Sequence, residues 1–321
     1  MTPDRRGRRS RGTMSAASCE TSHVPRRIKC VTFDCYGTLV DWHGGIEKAL
    51  LALPALGDDL AAIRRLLAMR EEIERELISG VVELPDEDNP EENYEAPEYR
   101  PYREILADSL SIAARAAGMP LNEHDARAVA ESMAQWEPFP DTRGALERIG
   151  KLHPIGILSN VEESVIGETI RRIGVKFDLV VTAEKVESYK PAPDHWYAAM
   201  HELEADEHEI FHLAASSFHD LETATLLGIP CGYVNRAGYP LGDEASPLFE
   251  VPDLAAAAAR IESWASIATG TKPAHRGRPT RRVEAAGTGG ESGVRGRRRG
   301  SGGTASGGSR EGSGGSKRAR R

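Results

Sequence analysis

Four short segments of this sequence place polar groups where they could act on a small molecule. In VTFDCYGTLVDW, residues 31–42, an apolar run ends on Asp34, with Gly37 permitting a tight turn and Thr38 bringing a hydroxyl nearby. A carboxylate set in a loop at a strand end can act as a nucleophile, or it can only cap a turn. ILSN at 157–160 ends on Ser159 and Asn160 just before a helical pattern, where hydroxyl, amide and backbone N–H groups can hold an anion or cap the helix. SYKPAP at 188–193 carries Lys190. An ammonium within about 4–6 Å of Asp34 would keep that carboxyl ionised and steady developing charge; the bland alternative is a solvated loop lysine. ASSFHD at 215–220 ends on Asp220, which opens a helical stretch.

The elements that must position these groups alternate along the chain. Apolar runs at Ile28–Asp34, Pro154–Asn160, Leu179–Ala183, Ile210–Ser216 and Cys231–Asn235 read as strands. Helical spacing covers 141–152, 163–173, 193–204, 218–227 and 253–266, with Gly228 as a stop signal and Pro252–Asp253 as a start signal. This order predicts an α/β fold with a doubly wound, mostly parallel, Rossmann-like sheet. Residues 43–138 break the alternation with helical stretches at 45–53, 58–79, 98–117 and 122–135, and so read as an inserted helical cap. The core is then 28–42 with 139–268, and the acidic stretch 83–98 reads as a loop on the insert.

The ends differ from this body. Residues 1–27 and 269–321 are Arg-rich, the latter also Gly- and Ser-rich, and read as disordered basic tails. Setting aside roughly +5 and +10 from the ends leaves about −23 on residues 28–274, so the body is no nucleic-acid surface; binding through the tails stays open. No membrane span or secretory leader is readable, which makes the cytoplasm the default location, and Met14 is an alternative start. Cys19, Cys30, Cys35 and Cys231 lack paired or metal-type spacing and read as reduced thiols.

Taken in order, FDCYGTL, ILSN, SYKPAP and ASSFHD resemble the four motifs of the haloacid dehalogenase superfamily, over about residues 28–245. The resemblance implies that Asp34 is a nucleophile forming a covalent ester, with Lys190, Thr38 and Asp220 catalytic, Asp220 together with Lys190 positioning the water that hydrolyses the ester, and Ser159, Asn160, Tyr36 and Ser217 around the substrate. It also implies a cap arginine that receives the leaving halide; Arg70 is the best match, in competition with Arg64, Arg65, Arg100 and Arg103, although the commoner role of an arginine on a long amphipathic helix is a solvated partner of a nearby glutamate, as Arg70 with Glu74 at i,i+4 would be. Within the superfamily, phosphatases have an aspartate two residues after the nucleophile, where this chain has Tyr36, and a phenol titrating near 10 cannot replace that acid at neutral pH. Ala215 and Ser216 stand where the phosphatases have Gly-Asp, so Asp34 and Asp220 alone would make a weak Mg²⁺ site unless Glu222 or substrate oxygens contributed.

These departures suit the type II 2-haloacid dehalogenases, which need no metal or other cofactor and act on a small carboxylate. The fourth motif departs from that branch too, with Ala215, Ser217 and His219 where it has serine, asparagine and tryptophan. His219 is a base or a helix-opening surface group, and Trp196 is a pocket wall or core filler. Trp42, Trp136 and Phe139 read chiefly as hinge packing. The alternatives are a phosphatase with an atypical Mg²⁺ site and a non-catalytic binding protein; a homodimer is compatible with each.

Overall fold

The computed structural model describes residues 27–79 and 99–268. The tails apart from Arg27, Met14, Cys19 and the acidic stretch 83–98 lie outside the described residues. Six strands are present among them: β1 (Cys30–Phe33), β2 (Ile155–Ser159), β3 (Leu179–Thr182), β4 (Ile210–Ala214), β5 (Cys231–Val234) and β6 (Glu250–Val251). They form one parallel sheet in the order β3-β2-β1-β4-β5-β6. Parallel strands are covered on both faces, which is why CVTF and IFHLA are apolar nearly throughout and wholly buried. The strand order reverses about β1, so a crevice opens at its carboxyl end. Phe33 pairs with Ile157 on one side and Leu213 on the other, which brings the ends of β1, β2 and β4 to one edge. Each expected strand is shorter by its end residues, although Asp34 N still donates to Leu213 O at 3.0 Å. The two-residue β6 was not expected, being too short to leave an alternating pattern.

The helices are α1 (Trp42–Leu51), α2 (Leu60–Ser79), α3 (Tyr102–Ala117), α4 (Glu123–Glu131), α5 (Thr142–Ile149), α6 (Glu163–Ile173), α7 (Ala183–Val186), α8 (Asp194–Leu203), α9 (Glu222–Leu226) and α10 (Leu254–Ala268). The helix expected from residue 98 begins at Tyr102, because Pro101 holds extended backbone at φ −55° and ψ 139°. The stretch expected as 122–135 is α4 followed by a 3₁₀ turn, Ser132–Gln135. The stretch expected as 218–227 is a π-helical turn, Ser217–Leu221, followed by α9, and Gly228 ends it at φ +73°. The short α7 begins where β3 was expected to continue.

Helices α1 to α4 interrupt the alternation with no described strand between them. Their entry and exit are laced together: Val40 bridges both Tyr36 and Pro138, and Phe139 N donates to Leu39 O at 3.0 Å. Trp42 and Trp136 meet edge to face at this neck, 5.0 Å between centroids. Helices and sheet fall within one compact unit. Among the described residues, no helix is long and apolar enough to cross a membrane. Cys30, Cys35 and Cys231 are free and buried.

Candidate active site

Asp34 leaves β1 at the carboxyl edge of the sheet, and the turn behind it requires Gly37, whose φ of +98° is costly for any side chain. The carboxylate is nearly buried and both oxygens are held. Thr38 Oγ1 donates to Oδ2 at 2.7 Å while accepting from Ala215 N at 2.8 Å, so the loop after β4 fixes the loop after β1. Lys190 Nζ donates to Oδ1 at 2.9 Å. Its other two protons go to Asp220 Oδ1 at 2.6 Å and Leu158 O at 3.0 Å, which saturates the ammonium in a site 1 % exposed. Asn160 clamps the lysine from outside, accepting from Lys190 N at 2.7 Å and donating to Lys190 O at 3.0 Å.

Charge follows from this geometry. Burial pushes the Asp34 carboxyl upward, Lys190 and Thr38 pull it back, and Asp220 adds to the rise. Burial acts the same way on Asp220, but Lys190 and His212 outweigh it and hold that carboxyl well below its ordinary range. Burial alone would lower Lys190, yet two carboxylates keep it above its ordinary value and charged. Asp34 is thus the more basic of the two acids.

A cavity of about 580 Å³ opens over Asp34 and Lys190. Ser159 and Asn160 form part of its wall, together with Tyr36, Ser217 and Arg70, so the expected substrate-side residues converge on one space. Asp220 does not reach it: the residue is fully buried behind Lys190 and absent from the cavity wall. Direct positioning of a water in the cavity, expected of Asp220, is therefore outside its reach. Tyr36 is tied to Thr169 Oγ1 at 2.7 Å, and burial raises its phenol far above neutrality, so it supplies no acid there. Ser217 donates to Glu222 Oε1 at 3.2 Å and accepts from Gly242 N at 2.9 Å.

The arginines separate cleanly. Arg70, on α2, is 2 % exposed, lies over the Trp42 ring at 5.1 Å and donates through Nη2 to Glu74 Oε2 at 2.5 Å. The reading of this i,i+4 pair as solvated is overturned, because both partners are buried and Tyr102 OH also donates to Glu74. Arg70 Nη1 is buried without a partner. Arg64, Arg100 and Arg103 are engaged by acids outside the cavity wall, and Arg65 is exposed. Trp42 and Phe139 do line the cavity besides packing the neck, whereas Trp196 is core, edge-on to His212. His219 lines the cavity, with Nδ1 3.0 Å from Ser216 Oγ and Nε2 buried without a partner.

Two supports escaped the sequence reading. Arg236, just after β5, donates to Thr38 O at 3.0 Å, pairs with Asp141 and covers Phe139. Its place past a strand's carboxyl end was the available signal. His212, inside β4, was hidden in an apolar run. The donor set does not fit Mg²⁺: an ammonium already bridges Asp34 and Asp220, and no described residues make a cluster of three or more His, Cys, Asp or Glu able to hold a metal.

Residues 28–214 match the family model of the haloacid dehalogenase-like hydrolases. The chain belongs to that family. Among relatives of this haloacid dehalogenase-like hydrolase, the (S)-2-haloacid dehalogenase of Pseudomonas sp. (strain YL) is 25% identical over 247 residues, 75% of this chain and 97% of the relative. The haloacetate dehalogenase H-2 of Moraxella sp. (strain B) is 23% identical over 231 residues, 71% and 95% of the two chains. In structure, the L-2-haloacid dehalogenase RSc1362 superposes with a TM-score of 0.61 at 22% identity, covering 74% of this chain and 99% of its own. The L-2-haloacid dehalogenase of Xanthobacter autotrophicus with chloropropionic acid covalently bound gives 0.57 at 18% identity, covering 73% and 98%. These structural likenesses establish the fold.

Proposed function

We propose that this chain is a 2-haloacid dehalogenase, releasing halide from a short 2-haloalkanoic acid through an ester on Asp34. The observation that carries the reading is Asp34 at the cavity floor with one oxygen on Lys190 Nζ and the other on Thr38 Oγ1. A carboxylate so held is dry, aligned and charged, the state in which it is a competent nucleophile. An Asp34 oxygen attacks C2 of the substrate as the carbon–halogen bond breaks and the halide leaves with the bonding pair. Water then attacks the Asp34 carbonyl carbon and the ester bond breaks; one water proton goes to the departing alkoxide and the other to solvent, so that the Asp34 carboxylate is regenerated and the 2-hydroxy acid departs with one oxygen from Asp34.

Ser159 and Asn160 take the substrate carboxylate, supported by their place on the wall ahead of α6. Arg70 receives the halide, supported by its buried, unpartnered Nη1. Tyr36 and Ser217 shape the space around them. Asp220 serves as the counter-ion that holds Lys190. The insert 43–138 caps a core of 28–42 and 139–268, and the buried free thiols suit a reducing, cytoplasmic setting.

The reading is tested with purified protein on L-2-chloropropionate and an aryl phosphate, each with EDTA or Mg²⁺. Halide release untouched by EDTA is expected; phosphate release that needs Mg²⁺, without halide release, overturns it.

A further inference from the structure

Two polar residues interrupt the apolar centre of the sheet, and they face each other. Thr32 on β1 pairs in register with His212 on β4, and both are fully buried. Neither lines the cavity, so neither touches a substrate. A buried imidazole is costly unless both ring nitrogens find partners. His212 has them: Nδ1 stands 2.9 Å from Thr32 Oγ1, and Nε2 stands 3.2 Å from Asp220 Oδ1. A carboxylate only accepts, so Nε2 carries the proton and Nδ1 accepts from the threonine hydroxyl. The ring also meets Trp196 in a T-shaped contact, 5.7 Å between centroids.

One carboxylate oxygen, Asp220 Oδ1, therefore takes an N–H from His212 and another from Lys190. The chain of contacts runs Thr32, His212, Asp220, Lys190, Asp34, from the middle of the sheet to the cavity floor. Resting on the dehalogenase reading above, we infer that His212 is a positioning residue: through Asp220 it sets where the Lys190 ammonium sits and thereby keeps Asp34 aligned and ionised for attack. The other titratable groups facing this chain are Cys35 next to Asp34, His195 on α8, Cys231 on β5 and His219 beside Asp220. Burial pushes His195 down to about 3 and Cys231 up to about 11, raises Cys35 and lowers His219, so all four are neutral at working pH.

Three variants test this: His212→Leu, which keeps bulk and loses both bonds; His212→Gln, which can still donate to Asp220; and Thr32→Val, which removes only the hydroxyl. His212→Leu is expected to lower kcat about 10- to 100-fold with KM little changed, since a small misplacement of a reacting group costs on that order. The acid limb of its pH–rate profile should move upward as Lys190 loosens from Asp34. His212→Gln should recover most of the rate, and Thr32→Val should lie between. Equal losses in the Leu and Gln variants would show that ring volume alone matters, and an unchanged rate and acid limb in His212→Leu would remove the role altogether.

A second readout needs no turnover. Asp220 has a depressed folded pKa, so its stabilisation is present above the unfolded value and lost as pH falls through the folded one. Without the His212 donor the depression shrinks, and the fall in Tm on acidification becomes shallower in His212→Leu; in Thr32→Val, which keeps that donor but loses the hydroxyl holding the ring, the change has the same sign and is smaller. An identical fall in wild type and both variants overturns the inference even if one of them folds poorly. A wild type that releases no halide but shows the Tm difference defeats the dehalogenase reading while keeping the network.

Discussion

The floor and the roof of the cavity solve the problem of buried charge differently. The floor, built by the strand ends, surrounds Lys190 with three acceptors and ties each Asp34 oxygen to a donor. The roof, built by α2 and α3, ties Arg70 to Glu74, which also accepts from Tyr102 OH, but leaves Arg70 Nη1 without a partner. A saturated group is fixed before substrate arrives, whereas a buried donor lacking a partner costs free energy until something occupies the space beside it. The contrast separates machinery that must be preorganised from machinery that must still accept a guest.

The sharpest test of the floor is Asp34→Asn. Halide release should fall by at least about four orders of magnitude, the scale for removing a nucleophile, while Tm holds or rises because a buried charge is gone. Steady-state assay and thermal melts check both halves, and a markedly lower Tm would contradict the charge assignment.

Lys190→Met should follow, with rate loss of about 10³ and a stability loss of about 3–5 kcal/mol, because two buried carboxylates are left facing each other. Denaturant titration measures the second; a loss below about 1 kcal/mol would mean the ammonium is not what holds them.

The roof should respond less and differently. Arg70→Met is expected to lower kcat/KM about 10²-fold and to destabilise by leaving the buried Glu74 without its cation, with only Tyr102 OH still donating to it. Adding Glu74→Gln should restore stability without restoring activity, and recovery of both would show that Arg70 serves packing only.

Thr38→Val should have the smallest effect. Burial already raises the Asp34 carboxyl and Thr38 opposes that rise, so its loss moves the acid limb of kcat/KM further upward with a rate loss of about tenfold. Activity, which needs ionised Asp34, is then lost at a higher pH on acidification. A pH–rate profile with the limb unmoved would separate Thr38 from the ionisation of Asp34.

Much of the floor was legible in the chain, and the roof much less so. Asp34, Ser159, Lys190 and Asp220 each follow a strand or precede a helix within a few residues, so local pattern placed them at one sheet edge before any contact was known. Arg70 was one of several arginines on amphipathic helices, and its i,i+4 glutamate made a solvated pair the commoner reading. Its burial depends on α3, whose Tyr102 closes over Glu74 from 28 residues away.

By itself, then, the order of strands and helices determined the α/β class, the helical insertion after β1 and the loop positions of the reactive groups, because periodicity and turn chemistry act over a few residues. Which of those groups line the cavity, which stand behind it, and that His212 and Thr32 meet across two strands were decided only by tertiary packing. Those outcomes depend on contacts between residues as many as 180 positions apart, and no local spacing encodes them.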